Sequence, residues 1–495
     1  MYLIGYDIGS SSVKVALVDA ESGKTLLRAH YPDREMEMQA PQPGWAEQHP
    51  DQWWEGMVQA TQRLLQVYPA AKDNVKAIGI SYQMHGLVLV DDADQVLRPS
   101  IIWCDGRAVN IGAAAFERIG AQTALSHLLN SPGNFTASKL RWVQENEPEL
   151  YRRVKHFMLP GDYLALKMTG EACTTISGLS EGIFWDFLEQ KPAELVFQDY
   201  GIDQALTPKI QPTFGVQGQL RAVAAAELGL SPGIPVAYRA GDQPNNALSL
   251  NALEPGEVAA TGGTSGVVYA ITDQAAFDPL SRVNGFAHVN YTLQQPYVGV
   301  LMCINGAGIT YNWLRKNTGA SALSYPDLEQ MAAQIPVGAD GLSMLPFGNG
   351  AERILNNVDL GANLQGLNFN RHGQAHLVRA GLEGIAFSFV YGMSILQEMG
   401  LDLKVMRVGN DNLFQSRIFA ETIATLCQSK IEMLDTTGAV GAAKGAGFGA
   451  GLYGTLREAL GSTPVVGGYA PLTDTSAYEA AYQRWLNSLH KLSNK

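Results

Sequence analysis

A chain of 495 residues, 46% hydrophobic and only 17% charged, is long enough for more than one core and too apolar for a disordered protein. Its 35 basic and 47 acidic residues give a net charge of -12 with no basic run, which argues against nucleic acid or an anionic membrane as partner. Four scattered cysteines (Cys104, Cys173, Cys303, Cys427) match no metal-site spacing and no stretch is long and apolar enough to span a bilayer, so a reduced, cytoplasmic protein is expected.

In chain order, strands are predicted at Leu3 to Tyr6 and Val13 to Asp19, joined by Asp7-Ile8-Gly9-Ser10-Ser11-Ser12. Pro50-Asp51 opens a helix with the apolar stripe Trp54, Met57, Val58, Leu64 and Leu65. A buried strand at Val75 to Ser81 runs into Tyr82-Gln83-Met84-His85-Gly86. Further strands follow at Leu87 to Val90 and at Ser100 to Trp103, the second ending at Cys104-Asp105-Gly106-Arg107. Helical patterns dominate to about Leu166, and Phe187 to Ala222 has little periodicity. Pro232 to Tyr238 reads as a strand leading into Ala240-Gly241-Asp242-Gln243, where a helix begins.

A second hairpin, Thr261-Gly262-Gly263-Thr264-Ser265-Gly266, then opens the C-terminal half. His376 to Met399 is predicted helical and stops at Gly400. Lys404 to Val408 is a strand followed by Gly409-Asn410-Asp411-Asn412, and Ile431 to Leu434 is another. Gly438 to Gly454 is dominated by Gly and Ala, a composition with poor helix propensity that, if helical, needs close packing to persist. A boundary near residue 250 divides the chain into domains 1–250 and 251–495, each mixing strands with helices, with ligand bound between the layers.

The two glycine- and hydroxyl-rich turns, one opening each half, suggest a duplicated fold that clamps a polyphosphate. Asp7, at the end of a buried strand, is either a turn-capping residue or a carboxylate for a magnesium ion or its waters, with Ser10 and Ser11 on phosphate oxygens. Lys14 is equally a phosphate ligand or an edge-strand lysine. Asp242 follows a strand and opens a helix, which suits both an N-cap and a general base in the crevice at strand ends. His85 and Asp105 end neighbouring segments and suit a polyol, His85 being also readable as a buried structural histidine. Trp103 and Trp142 read as core.

Taken in order from Leu3 to about Gly454, these motifs resemble the FGGY carbohydrate-kinase family of the actin-like ATPase superfamily. The residues that carry the resemblance are Asp7 to Lys14, Gln83-Met84-His85-Gly86 and Ile102-Trp103-Cys104-Asp105-Gly106-Arg107. To these are added Ala240-Gly241-Asp242, Gly263-Thr264-Ser265-Gly266 and Gly438 to Ala443. The resemblance implies two α/β domains of ribonuclease-H-like (actin-like ATPase) fold around an interdomain cleft, sugar mainly on the first and ATP on the second. It implies transfer of the ATP γ-phosphate to a ketose, D-xylulose first, with L-ribulose, L-xylulose or gluconate as alternatives and a sugar-binding protein without turnover as a non-enzymatic one. Met84-His85 stands where glycerol kinases carry Arg-Glu. Met84, His85 and Asp105 become ketose contacts and Asp242 the base. Ser10, Ser11, Ser12, Lys14, Gly263, Thr264 and Ser265 become phosphate contacts, Asp7 the magnesium ligand, and Gly409, Asn410 and Asp411 the turn beside adenosine. The partners implied are a sugar and ATP, with no nucleic acid or membrane, and a homodimer is left open.

Three departures from the family pattern stand out. Asn410-Asp411 replaces glycine or alanine, either touching the nucleotide or only capping the helix that follows. Gln243 follows Asp242 where Asn is usual, and Glu352-Arg353 lacks the customary Thr-Pro.

Overall fold

The computed structural model describes residues 1–319, 321–461 and 463–493. The first domain is built on β1 (Tyr2–Ile8), β2 (Val13–Asp19), β3 (Thr25–Tyr31), β4 (Val75–Tyr82) and β5 (Val236–Gly241), with helix α1 (Pro50–Val67) between β3 and β4. Helices α2 (Thr136–Asn146) and α3 (Ile176–Glu181) lie in the long insertion before β5, and α4 (Asp242–Ser249) follows it. The strand order is β5-β4-β1-β2-β3, with β1, β4 and β5 parallel and β1-β2-β3 an antiparallel meander. One face of the sheet carries α1, whose Trp53, Met57 and Leu64 pack with Tyr6, Val13, Val15 and Ile80. Helix α1 therefore forms where its apolar stripe predicts, with the His49 side chain accepting from the Asp51 N–H at its start.

The second domain repeats the plan. Its main elements are β6 (Glu257–Gly262), β7 (Gly266–Thr272), β8 (Asn284–Ala287), β9 (Val298–Ile304), α5 (Gln374–Glu398), β10 (Val405–Gly409), α6 (Arg417–Cys427), β11 (Lys430–Leu434), α7 (Gly438–Gly449), β12 (Val465–Tyr469) and α8 (Ser476–Ser493). The order is β8-β9-β7-β6-β10-β11-β12. Its central five strands, β9-β7-β6-β10-β11, have the directions of β3-β2-β1-β4-β5, so the two hairpins occupy equivalent places in duplicated domains. This is the two-domain actin-like ATPase architecture.

Helix α7 crosses between the halves. It follows β11 in the chain yet packs on the first sheet, opposite α1, over β1, β4 and β5. A Cβ on Gly5 would lie 2.0 Å from the Ala439 carbonyl oxygen, and one on Gly79 would lie 2.0 Å from that of Ala442. Backbone meets backbone, and any side chain at either glycine is excluded. The helix-poor composition persists because nine consecutive residues, Ala439 to Gly447, are buried in this contact. The Thr437 hydroxyl caps its start by accepting from the Val440 N–H at 3.4 Å.

Two expectations are corrected. The strand beginning at Ser100 ends at Ile101, and Trp103 is no core residue, with 53% of its surface exposed. The weakly periodic stretch after Phe187 folds as two short helices, Glu194–Tyr200 and Ala222–Leu228, with one short strand, Lys209–Gln211, between. Gly79→Ala is expected to destabilise the protein by at least about 1–3 kcal/mol, the range for overpacking, because a carbonyl oxygen cannot move aside. A melting temperature equal to that of the unaltered protein would show that α7 does not bear on the sheet.

Candidate active site

The carboxyl ends of β1, β4 and β5 meet the start of α7. Asp7, in register with Lys14 on β2 and Ser81 on β4, accepts from Ser81 Oγ at 3.1 Å, and Lys14 Nζ lies 3.6 Å from its other oxygen. A Cβ on Gly438 would stand 3.0 Å from the Asp7 carboxyl, so a larger residue at the start of α7 would press on that side chain. Asp242 is the first residue of α4, and Asn245 Nδ2 in the same helix donates to the Gly438 carbonyl at 2.9 Å. Two helix N-termini thus converge on one carboxylate pair, and their N–H ends favour its negative charge. Burial, reinforced by the Asp7 carboxylate, pushes Asp242 up to about 7, against smaller opposing contributions from Gln243 and Lys14.

Met84 and His85 follow β4 on the same rim. Met84 is buried, 4% exposed, and His85 adopts a left-handed backbone with φ 62°. The His85 ring lies between Phe135 of the first domain and Phe286 of the second, with centroids 4.8 and 5.4 Å away. Burial, with the Lys139 charge adding to it, lowers its pKa to about 3, so it is a neutral imidazole. Its Nδ1 is 2.9 Å from the Glu181 carbonyl, and a carbonyl can only accept. The proton therefore sits on Nδ1 and leaves Nε2 a lone pair.

Asp105 is placed differently from the expectation that it meets a sugar. It is wholly buried and accepts from the N–H groups of Ala46 (2.6 Å) and Arg107 (2.9 Å). It also forms a bidentate pair with the Arg107 guanidinium at 2.9 and 2.7 Å. Four donors fill the lone pairs of a carboxylate. Asp105 is committed to the fold, in a cluster that continues through Arg107 to Glu47 and Arg98. Trp103, by contrast, is exposed beside the first turn, its Nε1 3.5 Å from Ser10 Oγ.

The first turn is closed by Gly9 N–H donating to the Ser12 carbonyl at 3.0 Å, and is anchored where Gln48 and Met36 bond the carbonyls of Ser10 and Ser11. The second turn pairs Gly262 with Gly266 around Gly263, Thr264 and Ser265, and Gly308 and Ile309 N–H groups hold the carbonyls of Gly263 and Thr264. A Cβ on Gly262 would lie 2.8 Å from Leu413 Cβ, so the Gly409 to Asn412 turn sits directly against this hairpin. Asn410 and Asp411 are exposed, and Asp411 makes no side-chain cap to the turn of helix after it, so the capping role is not the one it plays. The left-handed residue of the turn is Asn412, at φ 58°. Glu352 and Arg353 support this region from behind. Glu352 accepts from the Asn305 and Gly306 N–H groups, and Arg353 Nε donates to the Ser281 carbonyl.

Sequence reasoning missed Lys139 and Glu181. Each is a single charged residue in an ordinary helical pattern, and only the tertiary fold reveals that both are buried behind the site, at 0% and 1% exposure. Glu181 packs under Gly241, where an added Cβ would meet its Oε2 at 2.3 Å, and burial, then the Asp242 and Asp162 charges, raise its pKa well above the usual carboxylate range. Among the described residues no three His, Cys, Asp or Glu side chains cluster to cage a metal. The donor set suits magnesium, which takes one or two protein carboxylates and completes its shell with phosphate and water.

The chain matches the family model for the N-terminal domain of the FGGY family of carbohydrate kinases over residues 2–249 and that for its C-terminal domain over residues 258–450. A xylulose kinase from Escherichia coli is 30% identical over 489 residues, 97% of this chain and 96% of its own. The crystal structure of a xylulose kinase from Brucella ovis superposes with a TM-score of 0.89 at 28% identity, covering 99% of this chain and all of that one. A gluconate kinase from Lactobacillus acidophilus shares the fold at a TM-score of 0.89 and 21% identity, over 99% and 98% of the two chains. Fold and family together define a phosphotransferase built of two α/β lobes. The chain belongs to the FGGY family of carbohydrate kinases and is an ATP-dependent sugar kinase.

Asp105→Asn is expected to lower the unfolding free energy by about 3–5 kcal/mol, as breaking a buried ion pair does, without changing which sugar is preferred. Denaturant titration together with a sugar panel checks this. Unchanged stability with altered sugar preference would return Asp105 to the ligand.

Proposed function

We propose that the protein transfers the γ-phosphate of ATP to D-xylulose, giving D-xylulose 5-phosphate, with Asp242 as general base. The observation that carries the reading is Asp242 itself, a carboxylate at a helix start between the sugar rim and the phosphate turns, with a proton affinity raised to about 7. A base near the operating pH is half free to accept a proton and strong enough to take one. The xylulose kinase relatives, alike over nearly the whole chain, supply the choice of sugar.

Met84 forms apolar wall, and the lone pair on His85 Nε2 accepts a sugar hydroxyl, which orients the ketose. Asp242 takes the proton of the terminal hydroxyl as that oxygen bonds to phosphorus. The bond from phosphorus to the β–γ bridging oxygen breaks, and ADP leaves with that electron pair. Ser10, Ser11, Ser12 and Lys14 face the phosphates from one lobe and Gly263, Thr264 and Ser265 from the other. Asp7 would hold magnesium, which when bound neutralises charge on the phosphate oxygens. Gly409, Asn410 and Asp411 border the nucleoside. A cytoplasmic location accords with the ATP requirement and with four free cysteines.

Asp242→Asn should lower kcat by about 10²–10⁴-fold while sugar affinity changes little. Near-normal turnover in that variant removes Asp242 from the mechanism. Because the base must be ionised, kcat/KM for the sugar should fall about tenfold per pH unit below about 7 and level off above it. A pH–rate profile flat from 5 to 8 contradicts the assignment. Asn410→Gly with Asp411→Gly is expected to change the KM for ATP relative to GTP and leave the sugar KM nearly constant. An unchanged nucleotide ratio would place both side chains away from the base and ribose. The substrate itself is tested by ADP release across D-xylulose, L-ribulose, L-xylulose and gluconate, with D-xylulose expected to give the highest kcat/KM.

A further inference from the structure

Lys139, on α2, is wholly buried, yet among the described residues it forms no ion pair. Its Nζ donates to two backbone carbonyls, His85 O at 2.8 Å and Ile102 O at 2.9 Å, and burial lowers its pKa to about 7. Burying an ammonium is unfavourable unless its hydrogen bonds do something that an apolar chain cannot, and a methionine of similar length would fill the space at less expense. The two acceptors are informative. His85 is a non-glycine residue held at φ 62°, a conformation that persists only when its surroundings enforce it. Ile102 O is also the acceptor of the Asp105 N–H at 3.1 Å, so it fixes the loop that carries Trp103 and Asp105. One amine, itself wholly buried, therefore ties the His85 loop of the sugar rim to the neighbouring loop that carries Trp103 and Asp105.

The clamp on His85 has a second jaw. Glu181 O holds the Nδ1 proton at 2.9 Å, and Phe135 packs edge-on against the ring from the turn just before α2. Backbone and imidazole are thus fixed by different groups. The nearby Lys139 charge also opposes protonation of the ring.

We propose that Lys139 is a positioning residue for sugar recognition: by binding the carbonyls of His85 and Ile102 it holds His85 in its left-handed conformation, so that Nε2 faces the cleft as a fixed hydrogen-bond acceptor. The proposal rests on the assignment of the Met84-His85 rim to the sugar. It concerns binding and not phosphoryl transfer, which gives it a distinctive signature. Replacing Lys139 should weaken the sugar and spare the nucleotide, and its effect should vanish once the His85 side chain is gone.

The test uses the full-length protein and steady-state kinetics with separately varied sugar and ATP. Lys139→Met should raise the sugar KM by about tenfold or more, with the KM for ATP within about twofold of the unaltered protein and kcat reduced less than the sugar affinity. In a double-mutant cycle, Lys139→Met added to His85→Ala should produce little further increase in sugar KM. An unchanged sugar KM overturns the proposal. So does a rise in both KM values together, or an effect that adds in full to that of His85→Ala. Should Lys139→Met fail to fold, Lys139→Gln, whose amide NH₂ donates from a shorter stem, is expected to show the same sugar-only increase at smaller size, and an unchanged sugar KM there is equally decisive. The ratios are measured on whichever of D-xylulose, L-ribulose, L-xylulose and gluconate the unaltered protein uses best. A preference other than D-xylulose sinks that substrate reading alone, and failure of the ratios with D-xylulose preferred sinks this one alone.

Discussion

The contact on which the rest of the molecule depends is the meeting of α7 with the first sheet. Gly5 and Gly79 leave no side chain between strand and helix, so carbonyl groups of α7 lie where Cβ atoms would otherwise stand. That approach sets the depth at which α7 sits, and therefore where its first residue falls. Gly438 comes to rest against the Asp7 carboxyl, and Asn245 ties the start of α4 to the same point. A thicker interface would move the α7 N-terminus away from Asp7 and undo the convergence of helix starts. Packing and electrostatics are therefore one problem here, solved by small residues.

The charges around the cleft divide by purpose. Asp7 and Asp242 face each other with little to neutralise them beyond Lys14, which lies on an exposed strand position. Such a pair is uncomfortable alone and welcomes a cation. Buried carboxylates elsewhere are spent on architecture. Asp105 is saturated by Arg107 and two N–H groups, Asp162 meets the Arg239 guanidinium at 2.9 Å, and Glu352 holds a loop by its backbone. The distinction between a reactive acid and a structural one thus lies in whether its lone pairs already have donors.

Much of the fold was legible because it follows from short-range rules. The β1–β2 turn, the stripe of α1, the stop of α5 at Gly400 and the pair of glycine hairpins are local features, and each appears where periodicity and turn chemistry put it. The Gly-Ala segment was legible conditionally, as a helix only if tightly packed, and that condition is met. What escaped depends on which side chains meet, whether near or far in the chain. Asp105 and His85 look alike in sequence as polar residues ending strands, yet Arg107 stands two residues beyond Asp105 and claims it, while among the described residues no hydrogen bond takes the outer nitrogen of His85. Trp103 looked like core because an aromatic after an apolar pair usually is, but the strand stops short of it and it turns outward. Lys139 and Glu181 carry no local mark at all, since their burial is decided by elements far away in sequence.

The placement of α7 has a consequence for how the chain becomes a protein. Strands β1 and β4 are made long before the helix that covers their second face, since the contact joins Gly5 to Ala443. Until then one side of the first sheet, its glycines included, stays open to solvent and to other chains. Contacts of such long sequence separation form slowly and only after the loop between them closes. The N-terminal half is therefore not a unit that can be completed during synthesis and set aside. It waits for α7, so a chain cut short after β11 has an uncovered sheet, a natural client for chaperones and a poor candidate for expression as a separate fragment.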